Sequence, residues 1–396
     1  MKKVIFSLLV SGAALFAFSC TQEFKASEVS EQKKLKLKAT EMGVYNYKSV
    51  QVPSTSFAFA AQMLQTDNQF SAGSGGNNGV FNGNGNQVKA GDKIEILSVT
   101  DAKADLGRVL FYDQTLSLNN AVACGSCHFQ KLAFADGKAL SQGFEGRQTT
   151  RNSMAIVNPA MSQAGLFWDT RANCVKNLAL QPVQNHIEMG MEDLTLLTRK
   201  LAAIDYYPDL FMKAYGSPSI TEDKIAEGLN AFIRSFVSWD SKYDEGEKSK
   251  FANFTAEEKH GKQLFSDWNG ANCASCHNEP TFDQQWGNGA NIGLDKISSD
   301  KGIGGSSKFK VPSLRNIELT GPYMHDGRFK TLEEVVTHYS DKVQMNSRLD
   351  FNLRNGNQAK RLNLNEGDKK ALVAFLKTLT DKNFISNPKF SDPFER

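Results

Sequence analysis

Cys124-Gly-Ser-Cys127-His128 and Cys273-Ala-Ser-Cys276-His277 are the two stretches on which the reading of this 396-residue chain turns. Each is a C-x-x-C-H pentapeptide, the attachment signature of a c-type haem. Two thiols add across the two vinyl groups of one porphyrin, and the adjacent imidazole reaches the iron. Zinc is the rival for paired C-x-x-C motifs, but the step of 149 residues from position 124 to 273 is far beyond zinc-ribbon spacing. Disulfides, common in exported chains, do not account for a histidine at the same place in both. Two covalently bound haems c are expected, with His128 and His277 beneath their irons. Cys174 is then left over, a small buried hydrophobe rather than a reactive thiol.

Working outward, each motif carries the same flanks. Gly107-Arg-Val-Leu110-Phe111-Tyr-Asp113 precedes the first, and Gly261-Lys-Gln-Leu264-Phe265-Ser-Asp267 precedes the second. Both read as the end of an amphipathic helix running into a haem loop, the second opened by a Thr255/Glu258 capping box. Downstream, Ala231-Phe232-Ile233-Arg234-Ser235-Phe236 matches Ala374-Phe375-Leu376-Lys377-Thr378-Leu379. These lie late in helices expected to begin near Thr221 and Asn365. The class is mostly α: two cytochrome c-like haem domains in tandem, 96–245 and 246–396, with a long irregular inter-haem region. The charged run Asp244 to Lys250 reads as the linker, and Ile94 to Val99 is the best strand signal. Residues 20–95 belong to neither repeat. They read as a solvated tether followed by a Gly/Asn-rich surface loop, Ser71 to Gln87.

The 43 acidic and 46 basic residues leave a formal charge of +3, or +1 without Lys2 and Lys3. No basic field exists for gripping nucleic acid. Met1-Lys2-Lys3 followed by apolar Val4 to Phe18 reads as an export signal over residues 1–19, too short to span a bilayer. Small residues Ala17 and Ser19 place cleavage before Cys20. The mature chain is then a periplasmic lipoprotein anchored through Cys20; an ordinary secreted protein with an incidental thiol is the alternative.

From about Asp105 to Leu379 the chain resembles the bacterial di-haem cytochrome c peroxidase and MauG family. Beyond the haem motifs the resemblance rests on Arg151-Asn152, Phe167-Trp168-Asp169-Thr170-Arg171 and Glu188-Met189-Gly190. It also rests on Phe309-Lys-Val-Pro-Ser-Leu-Arg315-Asn and Thr320-Gly-Pro322-Tyr323-Met-His325-Asp-Gly327. It implies that peroxide reacts at the N-terminal haem and that the C-terminal haem passes electrons. Glu188 matches the distal glutamate, a carboxylate able to take and return a proton; without the resemblance it would read as a surface acid. Trp168 matches the tryptophan between the haems. Asn152, Thr320 and Pro322 match an inter-domain calcium site, the last two through backbone carbonyls. Arg171 and Arg315 are candidates for haem propionates or for the solvated surface.

Three departures bear on mechanism. Phe144 stands where activation-dependent peroxidases carry a removable distal histidine, which implies a first haem open to peroxide in every redox state. Tyr339 stands where the peroxidases carry a methionine ligand to the second haem; a phenolate there lowers the potential. His338, Met345 and Met324 are its rivals. Leu178 replaces a glutamine and His186 a proline near Glu188.

The expected activity is reduction of hydrogen peroxide to water with electrons from a small cytochrome c or cupredoxin. A MauG-like oxidation of a protein substrate and a non-catalytic di-haem electron carrier are the rivals. A homodimer is an open alternative.

Overall fold

The computed structural model describes residues 36–51, 57–64, 93–284 and 287–395. The proposed leader, Cys20 and the Gly/Asn-rich stretch lie outside them. Helix Asp101–Tyr112 starts where Thr100 accepts from the Lys103 amide, and helix Glu222–Arg234 where Thr221 accepts from the Lys224 amide. Acidic residues in each first turn favour the helix dipole. The two helices cross at glycine: a Cβ on Gly107 would lie 1.9 Å from the Gly228 carbonyl oxygen.

The second half repeats this crossing. Helix Ala256–Ser266 opens on the expected Thr255/Glu258 box, and helix Glu366–Lys377 on Asn365 with Asp368. A Cβ on Gly261 would lie 1.9 Å from the Ala371 carbonyl oxygen. Phe111 meets Phe232 with ring centroids 5.5 Å apart, and Phe265 meets Phe375 at 5.0 Å. The paired flanks in the sequence are thus two copies of one helix crossing, each holding a C-x-x-C-H loop at its end. Because the approach is backbone on backbone, Gly107→Ala and Gly261→Ala should each cost about 1–3 kcal/mol through helix displacement. Gly228→Ala, whose Cβ would meet side chains only, at 3.4 Å, should be neutral or stabilising by up to about 1 kcal/mol. Chemical denaturation of the three variants checks this.

The residues after the second crossing return to the first. Phe384 and Phe390 pack on Phe134 and Phe236, with centroid distances of 5.6 Å (Phe134 to Phe384) and 5.1 Å (Phe236 to Phe390). Residues 37–395 form one compact unit, and no helix among the described residues is long and apolar enough to cross a membrane.

Three local expectations are corrected. Part of the expected solvated tether is docked: the amides of Gly43 and Tyr47 donate to Asp105 and Asp101 at 2.7 Å, and fully buried Arg108 pairs with Glu41 at 2.7 Å. Carboxylates on the face of helix 101–112 hold that segment down. The strand signal at 94–99 is realised only as Lys93–Glu95, antiparallel to Ser49–Gln51; Leu97 and Ser98 turn the chain toward the Thr100 cap. The charged run at 244–250 is no open linker. Helix Lys242–Lys248 covers most of it, and Asp244 is buried in a two-bond ion pair with Arg315, at 2.9 Å each.

Candidate functional site

Both pentapeptides fold into the same turn. The amides of Cys127 and Cys276 donate to Cys124 and Cys273 carbonyls at 3.1 Å, and those of His128 and His277 to the same carbonyls at 3.0 and 2.9 Å. The next residues loop back with Phe134 and Phe282 in left-handed backbone (φ 62° and 56°). That conformation is uncommon for a bulky residue, and its consequence is the same in each half. The Phe134 carbonyl lies 2.6 Å from His128 Nδ1, and the Phe282 carbonyl 3.0 Å from His277 Nδ1, which also has Pro312 O at 3.2 Å. A carbonyl can only accept, so Nδ1 carries the proton and the Nε2 lone pair is left free. Burial lowers both imidazole pKa values, that of His277 to about 4. Both rings are therefore neutral and ready to ligate metal.

The two motifs line one cavity of about 770 Å³. The four thiols are free, and burial pushes Cys124 up to about 12 and Cys127 to about 11. Free thiol pairs beside a neutral imidazole with its outer nitrogen fixed by a backbone carbonyl form a donor set that fits a c-type haem in each half.

On the first half's wall sits Glu188. Asn185 Oδ1 accepts from the Ile187 and Glu188 amides at 2.8 and 3.1 Å, and the Phe144 amide donates to the Glu188 carbonyl at 2.9 Å. Gly143 is required beneath this turn, since a Cβ there would lie 1.6 Å from Ile187 O. Burial raises the Glu188 pKa, opposed by the Arg171 charge. Phe144 is buried against Gly190 and does not line the cavity. Leu178 lines it, whereas His186 is exposed and off the wall. Arg171 reaches the cavity from the rim, lying 3.6 Å over the Phe167 ring and bonded to Asp169 at 2.8 Å. Arg315 does not line the cavity: fully buried, it lies over Trp239 and is taken up by Asp244 and Pro280 O. Neither reading of that arginine survives.

In the second half, Tyr339 lies in a single π-helical turn, His338–Lys342, and lines the cavity. Burial is the main cause of its raised pKa, followed by the nearby Cys276 and Cys273 thiols. Of its rivals, Met324 also lines the cavity. His338 is tied to Ile292 O at 3.0 Å, and neither it nor Met345 lines the wall.

Between the halves, Trp168 Nε1 donates to Asn152 O at 2.8 Å, and the Lys310 amide donates to Trp168 O at 2.8 Å. Asn152 gives both amide hydrogens to Lys138 O and Ala139 O, at 2.8 and 3.2 Å, so its Oδ1 is left without a described donor. Thr320 and Pro322 line the same cavity. Neutral oxygens of this kind fit a hard cation, and no group of three or more His, Cys, Asp or Glu side chains is placed to hold a metal ion among the described residues. Lys310 itself was not singled out from sequence. Its buried ammonium donates to Ser162 Oγ and, at 2.6 Å, to Gly165 O, and faces the buried Asp283. A lysine between Phe309 and Val311 was the available signal.

The family described as di-haem cytochrome c peroxidase matches residues 101–250. The methylamine utilization protein MauG of Methylophilus methylotrophus is 32% identical over 288 residues, covering 71% of this chain and 83% of that protein. The cytochrome c551 peroxidase of Nitrosomonas europaea is 32% identical over 300 residues, covering 72% and 83%. Among solved structures, a MauG-like protein associated with microbial copper homeostasis matches with TM-score 0.68 and 32% identity, over 74% of this chain and 94% of that one. The di-haem peroxidase BthA of Burkholderia thailandensis shares the fold, with TM-score 0.62 at 21% identity over 76% and 92%.

Proposed function

The chain belongs to the di-haem cytochrome c peroxidase and MauG family, and from that membership we propose that it is an exported peroxidase reducing hydrogen peroxide with a small protein donor. The balance is H2O2 with two electrons and two protons to two waters. Cys124, Cys127 and His128 would hold one haem, which would supply the redox chemistry for breaking the O–O bond. Glu188 would take a proton from one peroxide oxygen and return it to the other, making water the leaving group. The observation that carries the reading is the half-buried Glu188 carboxyl, its pKa raised by desolvation, on the wall shared with His128, while Phe144 is turned out.

Cys273, Cys276 and His277 would hold the second haem, Tyr339 on the same wall would be available to ligate it, and Trp168 would carry electrons between the two. The haem domains are 96–245 and 246–396, and calcium at Asn152, Thr320 and Pro322 belongs to the same proposal, as does a lipid on Cys20. The ferric electron paramagnetic resonance spectrum tests it. One high-spin signal, lost with cyanide, is expected beside one low-spin signal; two low-spin irons would instead make the protein a carrier.

Tyr339 on the cavity wall also favours a MauG-like oxidation of a protein substrate. Steady-state turnover of peroxide with a reduced cytochrome or cupredoxin separates the two readings. For the ligand itself, the expected absorption spectrum lacks the thioether-to-iron charge-transfer band, which should appear in Tyr339→Met. That band in the unaltered protein would point to Met324.

A further inference from the structure

Beside the second motif the chain presents a surface whose composition selects a partner. Asn352 Nδ2 lies 3.7 Å from Cys276 Sγ, and Asp350, Asn352 and Leu353 line the cavity. Between them Phe351 turns the other way, 79% exposed. An apolar ring so presented, one residue from the cavity wall, is the exception among large side chains.

The surroundings are basic. Residues 348–361 carry Arg348, Arg354, Lys360 and Arg361 against the single carboxylate of Asp350, with Lys360 and Asp350 both on the cavity wall. None of the four forms an ion pair with a described residue. Arg354 and Arg361 donate to backbone carbonyls only, at 2.7 Å to Leu349 O and 2.8 Å to Val343 O. Arg348 is exposed, and its guanidinium has no partner among the described residues. Local charge of +3 on fourteen residues equals the formal charge of the whole chain, so this is a patch and not a general property of the surface. The short hairpin Arg354–Asn355 with Gln358–Ala359 holds it in place.

We infer that segment 348–361 is the docking surface for an acidic electron-donor protein, with Phe351 as its apolar contact beside the Cys276 attachment point. The inference rests on the peroxidase reading for the purpose of docking, but not for its test. Positive charge around an apolar centre steers an acidic partner and repels a basic one. Each docking passes one electron, the donor being oxidised by one unit as the acceptor is reduced by one. Two dockings supply the two electrons needed per peroxide, and no bond is made to the donor.

The test uses the full holoprotein and two probes: plastocyanin, an acidic cupredoxin, in redox-inert cadmium form, and mitochondrial cytochrome c, a basic protein. Binding is measured by nuclear magnetic resonance titration at low and high salt. Plastocyanin should bind more tightly at low salt, and more tightly than cytochrome c. Arg348→Glu combined with Phe351→Ala, two side chains without hydrogen-bonding or ionic partners, should weaken plastocyanin about tenfold or more. Peroxide turnover with a small organic reductant should be unchanged in that variant. Equal affinity in the variant, indifference to salt, or tighter binding of cytochrome c would overturn the docking surface. Absence of turnover with the small reductant in the unaltered protein would overturn the peroxidase reading, and leave the binding result to decide the docking.

Discussion

Glu188→Gln is expected to lower peroxide turnover by about 10²–10⁴-fold, the usual contribution of a positioned proton carrier, while both haems remain attached. Glutamine keeps the size and hydrogen-bonding capacity of the side chain but cannot hold the transferred proton. The backbone of residue 188 is fixed by Asn185 and by the Phe144 amide, so the substitution should not move the wall. His186 is exposed and Leu178 is apolar, so neither replaces the lost carboxylate. Glu188 must be ionised to accept the first proton. Burial raises its pKa, so the acid limb of kcat/KM should lie above the ordinary glutamate value and vanish from the residual activity of the variant. Steady-state kinetics against pH, with haem content from the pyridine haemochrome, checks both statements. Near-full turnover in the variant would remove Glu188 from the mechanism.

Arg315→Met should destabilise the folded protein by about 3–5 kcal/mol, because it strands a buried carboxylate. The Arg315 and Asp244 side chains are 0% and 2% exposed, joined by two bonds of 2.9 Å. Burial alone would raise the Asp244 pKa, but the Arg315 charge and hydrogen bonds more than reverse it, holding the carboxyl below the usual range. With a depressed folded pKa, the pair's contribution is present above the unfolded value of about 3.9 and is lost as pH falls through the folded value. In Arg315→Met the sign inverts: burial raises the Asp244 pKa, so the deficit grows as pH rises past about 4. Adding Asp244→Leu should recover much of the loss, since an apolar pair can replace a buried ion pair. Chemical denaturation of the single and double variants at pH 4 and 7 measures this. A single variant as stable as the parent at pH 7 would show that the charge is reached by water.

Much of this protein is written in short stretches. The haem-binding turns, the Thr255/Glu258 box and the glycines at 107 and 261 each draw on residues within a few positions, or recur in both halves. Covalent spacing and helix capping are local, so a linear reading reaches them. The direction in which a side chain points is not local. Successive helical residues differ by about 100° around the axis, so His338 and Tyr339 compete on paper. The π-helical turn and the Ile292 carbonyl then send the histidine into the backbone and the tyrosine to the cavity. Charge is equally ambiguous in one dimension. The run from Asp244 reads as a linker until Arg315, 71 positions away, supplies the partner that lets the carboxylate be buried. Lys310 is not singled out in one dimension, and its burial is decided by Ser162, Gly165 and Asp283 around it. Motif spacing thus determined by itself which donor groups the chain presents for covalent attachment. Only the tertiary structure decided which polar residues face that space, because burial of a charge depends on partners that packing supplies from far along the chain.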